Sequence, residues 1–418
     1  MQKKYQFILA IVVTICLGGA VFASTVLSQN YQRSHVVLWA SEVLPKSLLK
    51  GPNYRVQEVV INDGMINTYE LDTNYGPLKV ESTALLLKRI NELNATSKIE
   101  ELKGTDVYLQ ALKQAGTAPL RTAAGAVLDP IGTVTGVAGG IGGFFHNIAS
   151  SVSDSSPYKD DIAKSLLGQS SYKREFAHQF NVDPYSSYEP LQKALNDLSW
   201  TATAGGLTVK AALTAIPGAA VVSYASTAGS FKALVKEKTP SQLIEINRDK
   251  LYAMGVPVPI VDIFMQNTAF DPWEQTLLVG ELGNMTGVAN RKVYIERAAG
   301  AVEDSVVVFL RVRAQLIGIY ADKTKSVDSF VDVKGFPFLM SQSGAVIGVF
   351  PIDHLAWTAG FAQRETEISS AIKQIQGVTG KELLITGTVD PVARKALEDR
   401  GWTVRDKFED QILLKMGY

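Results

Sequence analysis

ELLITGTVDPVARKALEDRGWTVR, residues 382–405, reads as strand, turn, helix, turn, strand. Glu382–Thr386 is a short apolar run ending at Gly387, and Asp390-Pro391 supplies an N-cap followed by proline in the first helical turn. The helix runs to about Arg400, Gly401 stops it, and Trp402–Arg405 resumes a strand. Two strands joined through a helix by short links pair parallel in one sheet. This part of the chain is therefore α/β in character.

The opposite end of the folded region reads differently. In YRVQEVVINDGMINTYELDTNYGPLKVE, residues 54–81, Tyr54–Ile61 and Ile66–Leu71 alternate loosely around the turn Asn62-Asp63-Gly64. Asn74-Tyr75-Gly76-Pro77 turns the chain again into Leu78–Glu81. Ser82 or Thr83 then caps a helix with Leu86, Ile90 and Leu93 at helical spacing, Gly104 ends it, and Val107–Gln114 forms another. An antiparallel meander followed by helices at one end, and a strand–helix–strand unit at the other, predict an α+β fold that is predominantly helical.

Between them the pattern is mainly helical. Ser155–Ser199 is hydrophilic and punctuated by Asp183-Pro184 and Glu189-Pro190. Thr239-Pro240-Ser241-Gln242 and Asp271-Pro272-Trp273-Glu274 both read as capping boxes, opening helices at about 240–253 and 271–283. Val302–Lys323 reads as a helix carrying Arg311 and Arg313 in an apolar setting, where buried guanidinium groups call for carboxylates. Val327–Val333 and Ala345–Phe350 are strands, and Asp353 reads as the cap of a helix reaching about Gln376. Trp273, Trp357 and Trp402 read as core anchors. The expected organisation is a meander with helices over 45–118, a helical region over 119–325 and an α/β unit over 326–418.

Composition narrows the function classes. The 418 residues carry 41 Lys+Arg against 41 Asp+Glu, which gives no electrostatic reason to expect a nucleic-acid partner. With 46% hydrophobic residues the chain can bury a core. One cysteine allows neither an intrachain disulfide nor a thiolate metal site, and no disulfide-linked partner is expected. That cysteine, Cys16, lies in Phe7–Ala23, an uncharged run behind Lys3 and Lys4 with Val21 and Ala23 before a cut site. Residues 1–23 read as a secretory signal peptide, the alternative being a short retained anchor. Val13-Thr14-Ile15 before the cysteine does not read as a lipoprotein acceptor. A thiol-free exported protein suits a bacterial periplasm or envelope.

Two uncharged stretches stand out. After Asp129-Pro130, Ile131–Ser153 has no formal charge, and Gly132, Gly136 and Gly140 recur every four residues before Phe144 and Phe145. In a helix this spacing forms a glycine-zipper face open to a membrane or a partner. Its eight larger apolar side chains gain roughly 0.3–0.6 kcal/mol each at a bilayer centre, and the glycines, hydroxyls, Asn147 and His146 offset much of that. The competing reading is a loop or a helix packed tightly in the interior. Ala211–Phe231 is a second such stretch, interrupted by Pro217-Gly218.

Motifs for catalysis are sparse. No Gly-x-Ser-x-Gly, phosphate-binding loop or His-Glu-x-x-His occurs, and Phe145 stands where a dinucleotide fingerprint needs glycine. Ser-x-x-Lys occurs at Ser47–Lys50 and Ser170–Lys173, about as often as random placement gives. His178, His354 and Asp353 are the remaining acid–base candidates, without a recognisable nucleophile. No cofactor or metal is expected.

Gly51-Pro52-Asn53-Tyr54-Arg55-Val56, Asn62-Asp63-Gly64, Tyr172-Lys173-Arg174-Glu175, Asp353-His354-Leu355-Ala356-Trp357 and Thr386-Gly387-Thr388-Val389 together resemble a family of uncharacterised exported proteins of Gram-negative bacteria. The likeness covers about residues 45–410. It implies export and transfers no activity, ligand or catalytic residue. The functional expectation is a non-enzymatic structural or interaction module of the envelope, membrane-associated through 131–153. The alternatives are a periplasmic hydrolase with a dispersed site and a conditional pore-former.

Overall fold

The computed structural model describes residues 31–33, 35–115, 157–216 and 227–410. The signal-peptide reading of 1–23, the glycine-zipper reading of 131–153 with Gly132, Gly136, Gly140, Phe144 and Phe145, and the centre of 211–231 lie outside the described residues. What is described has an α+β architecture, predominantly helical.

The N-terminal sheet contains β1 (Val36–Trp39), β2 (Lys50–Gly51), β3 (Tyr54–Val56), β4 (Val59–Asn62), β5 (Asn67–Thr73) and β6 (Gly76–Glu81), with α1 (Ala40–Val43) and α2 (Lys46–Leu49) between β1 and β2. All its pairings are antiparallel, in the order β1-β4-β5-β3-β2, with β6 on β5. The expected first meander strand is two strands, parted at Gln57-Glu58, both lying along β5. The turn after β4 forms as its sequence suggests. Asn62 Oδ1 accepts the Gly64 N–H, Asp63 Oδ1 accepts those of Met65 and Ile66, and Gly64 sits at φ +103°. One face of this sheet is covered by α3 (Thr83–Lys103), whose cap is Ser82.

The helical middle follows: α4 (Asp106–Ala115), α5 (Pro157–Phe180), α6 (Glu189–Gly205), α7 (Val209–Ala215), α8 (Thr227–Glu237), α9 (Pro240–Ala253), α10 (Val258–Met265), α11 (Pro272–Asn284), α12 (Lys292–Ala299) and α13 (Asp304–Thr324). The box at Thr239 closes in both directions. At Asp271 only half of it forms. The aspartate accepts the Glu274 N–H at 2.8 Å, but the Glu274 side chain turns inward to Lys88 and Arg311. Helix α13 packs on α3, α11 and the C-terminal sheet, so its arginines are buried on both counts. Arg311 meets a carboxylate, as expected of a buried guanidinium, and it is that of Glu274. Arg313 does not: its Nε donates to the Val349 carbonyl at 2.8 Å, its Nη2 to Pro337, and its guanidinium lies over Phe350. Carbonyl oxygens and ring faces solvate this cation where carboxylates were expected.

The C-terminal sheet has the order β13-β11-β9-β8-β7, from β7 (Val327–Val333), β8 (Phe336–Ser341), β9 (Ala345–Phe350), β11 (Gly380–Ile385) and β13 (Trp402–Arg405). The strand–helix–strand reading holds. Strands β11 and β13 pair parallel around α15 (Pro391–Glu398), and β9 joins β11 parallel. Strand β8 is an addition that Pro337 conceals. The proline end of β8 pairs with β7 only, because its pairing with β9 is confined to Leu339 and Met340. The β7–β8 turn uses Lys334 and Gly335 at φ +57° and +79°.

Asp353 caps no helix. The helix α14 (Ala359–Ile372) starts later and is capped by Thr358. The intervening residues form β10 (His354–Leu355), which pairs parallel with β12 (Thr388–Val389). A continuous hydrophobic core links the N-terminal sheet, the helices and one face of the C-terminal sheet, and a second core lies between the other face and α14–α15.

Candidate functional site

The three regions meet at a cleft. One wall is the β4–β5 turn, where Met65 and Ile66 project; another is the first two turns of α13, with Val306 and Phe309; the third is the C-terminal unit. Asp353 clasps the first wall to the third. Its carboxylate accepts the N–H of Asn67 at 2.9 Å and of Thr83 at 3.1 Å. The N–H groups of Asp353 and His354 donate to the Met65 carbonyl, and that of Ala356 to Gly64. Burial pushes the Asp353 carboxyl up to about 6, against the opposing pull of the Asn67 and Thr83 hydrogen bonds.

Behind the turn the cleft narrows to a chamber of about 220 Å³, walled by Phe309, Phe338, Phe350, Phe361, Ile368 and Trp402 among others. An apolar cavity of about 150 Å³ is enough to hold a benzene ring, so this one has room for an aryl group or the end of an alkyl chain. Its polar edge is made by two arginines that lie near Phe336. The guanidinium carbons of Arg297, in the last turn of α12, and Arg364, on α14, lie 5.5 and 5.9 Å from the Phe336 ring centre. Among the described residues no carboxylate lies within 4.0 Å of either guanidinium. The carboxylate next in sequence, Glu365, is taken: it accepts the Trp402 Nε1–H at 2.8 Å and forms an ion pair with Arg400, Nε 3.2 Å away.

In front of the arginines the cleft widens into a polar vestibule of about 600 Å³ on the outer face of the N-terminal sheet. The two spaces share Ile66, Arg297, Val306 and Phe309. Glu70, Glu81 and Glu303 line the vestibule, with Lys79 and His35. Along one path the lining therefore runs from apolar to cationic to mainly acidic.

A second cavity, about 390 Å³, lies on the other side of α3, between α5, α6 and the start of α11. It abuts a buried ion network. Lys88 bridges Asp183 at 3.0 Å and Glu274 at 2.7 Å, Glu274 also holds Arg311 at 3.1 Å, and Arg89 pairs with Glu92 and Asp304. Burial opposes the charge of Glu274, but Lys88 and Arg311 outweigh it and hold the carboxyl down to about 2. Asp271 goes the other way, raised well above the usual carboxylate range by burial and by Asp183 beside it.

The sequence candidates are not brought together. His354 Nδ1 lies 2.8 Å from Thr388 Oγ1, and its basicity is lowered by burial. The adjacent Asp353 is engaged with the N-terminal sheet. His178 is in the last turn of α5, lowered by burial and by Lys236. Ser170 and Lys173 share the wall of the second cavity, but the lysine donates to Gln192 Oε1 at 2.7 Å. Arg297, Arg364 and Phe336 carried no signal in the sequence, because they come from three elements that only the tertiary fold assembles.

Among the described residues no helix is long and apolar enough to cross a membrane, and no group of three or more His, Cys, Asp or Glu is set to hold a metal. No family model, curated protein or solved structure matches the chain.

Proposed function

We propose that this is an exported envelope protein that acts by binding, and that its cleft takes an amphipathic anion. The apolar end of the ligand enters the aromatic chamber, its acid group meets Arg297 and Arg364, and a hydroxylated or amine-bearing end lies toward Glu81 and Glu303. The observation that carries this reading is the pair of arginines on Phe336, free of carboxylate partners among the described residues, at the mouth of an apolar space. A pocket that is mostly apolar with a few convergent polar groups is the usual form of a small-molecule site.

The reading fits a non-enzymatic interaction module, since amphipathic acids are natural components of an envelope. Octanoate and octanol distinguish the terms, because they share the tail and differ in the acid. Calorimetric titration should give octanoate the higher affinity. Arg297→Gln with Arg364→Gln should lower that affinity at least about tenfold, since charge-assisted hydrogen bonds contribute about 1.5–3 kcal/mol. Ile368→Trp, which fills the chamber, should abolish binding of both. Equal affinities for acid and alcohol, unchanged by the double replacement, would refute the proposal. Cell fractionation with a carbonate wash tests the location: wholly soluble release of the protein removes the membrane-associated part of the reading.

A further inference from the structure

Three buried cations of the network around α3 hold carboxylates, and two cations that line the second cavity do not. Lys88, Arg89 and Arg311 each hold one or more acidic partners within 3.3 Å. Lys173 and Arg174 line the cavity without one among the described residues. The Lys173 amine donates to a neutral acceptor, Gln192 Oε1, and Arg174, buried, donates Nε–H to the Lys236 carbonyl at 3.2 Å. The Tyr185 hydroxyl is buried in the same cavity beside the Arg174 guanidinium, and Asp271 lines it too, favouring its protonated form.

We propose that Lys173 is an amine nucleophile that forms an imine with a small 2-oxo acid bound in this cavity, with Arg174 holding the ligand's carboxylate. The two functional groups of such a ligand match the two exceptions in the network. A carboxylate supplies the anion that a buried guanidinium lacks, and a ketone supplies an electrophile for an amine that no acid ties up. In the reaction the Nζ lone pair attacks the carbonyl carbon to give a carbinolamine. The nitrogen then loses a proton, the hydroxyl leaves as water after taking one, and a C=N bond replaces C=O. Nothing is oxidised or reduced, and water is the only by-product. Tyr185 and Asp271 are the cavity groups able to donate and return that proton. Burial supports the nucleophile. It lowers the Lys173 amine to about 8, so about a tenth is free base at pH 7, against about one part in three thousand for an ordinary lysine.

The test is reductive trapping on the intact chain. Pyruvate with cyanoborohydride at pH 7, followed by peptide mapping, should label Lys173 at least about tenfold more than the exposed Lys46 and Lys50. Labelling should saturate with pyruvate, and the preference should vanish in urea. Lys173→Arg should remove it. Arg174→Gln should weaken trapping of pyruvate more than trapping of acetaldehyde, which has the carbonyl without the acid. Labelling of Lys173 no greater than that of Lys46 in the unaltered protein, or a preference that persists in urea, overturns the nucleophile. Equal loss for pyruvate and acetaldehyde in Arg174→Gln overturns the carboxylate contact.

Discussion

Replacing Glu274 with glutamine removes one negative charge from between two buried cations while nearly preserving shape. The carboxylate lies 2.7 Å from Lys88 Nζ and 3.1 Å from Arg311 Nε and is 2% exposed, so solvent does not screen the loss. Its pKa, about 2 in the fold against 4.5 ordinarily, makes the ionised group worth about 3 kcal/mol to the folded state. Breaking a buried ion pair on one side costs about 3–5 kcal/mol in general, which is the same range. The sign with pH follows from the depressed value. The contribution is present in full above about pH 4.5 and is lost as pH falls toward 2. Urea unfolding of the parent and Glu274→Gln at pH 7 should therefore differ by about 3 kcal/mol, a midpoint shift of about 1 M if the slope is about 3 kcal/mol per M. The difference should shrink steadily between pH 4.5 and 2. A loss below about 1 kcal/mol at pH 7, or a difference that stays constant through that acid range, would mean that Lys88 and Arg311 do not stabilise this carboxylate as the distances indicate.

Asp353 should show the opposite slope, because its folded value is raised from 3.8 to about 6. Its contribution is most favourable below pH 3.8 and declines as pH rises to about 6, so the stability of the parent relative to Asp353→Asn should fall by about 3 kcal/mol over that window; a flat difference in urea titrations counts against the clasp. Gly205→Ala places a methyl group against the Ala111 carbonyl where α6 crosses α4, and should destabilise by about 1–3 kcal/mol despite the better helix former, whereas a higher melting temperature would show that the crossing can yield.

Local signals in the sequence decide the structure where one residue type has one local job. Asp390-Pro391, Thr239-Pro240 and the Asn62-Asp63-Gly64 turn form as their side-chain oxygens and backbone freedom dictate. They misled where the same residue had a stronger partner far along the chain. Asp353 has the chemistry of a cap, yet the amides of Asn67 in β5 and Thr83 at the start of α3 claim it, 286 and 270 residues away in sequence. Glu274 stands at the third position of a box and goes instead to Lys88. Pro337 hid a strand because its lost N–H faces no partner strand.

The sequence by itself determined the α+β class, the order of the main elements and most of their ends, since periodicity, caps and turns act over a few residues. The cleft and the second cavity were decided by the tertiary structure alone. Phe336, Arg297 and Arg364 become a site only when β8, α12 and α14 converge. Lys173 becomes unusual only because other cations nearby already hold carboxylates. Both depend on what is absent within a few ångströms of a charge, and distance in space, unlike helical or strand period, leaves no regular spacing along a chain.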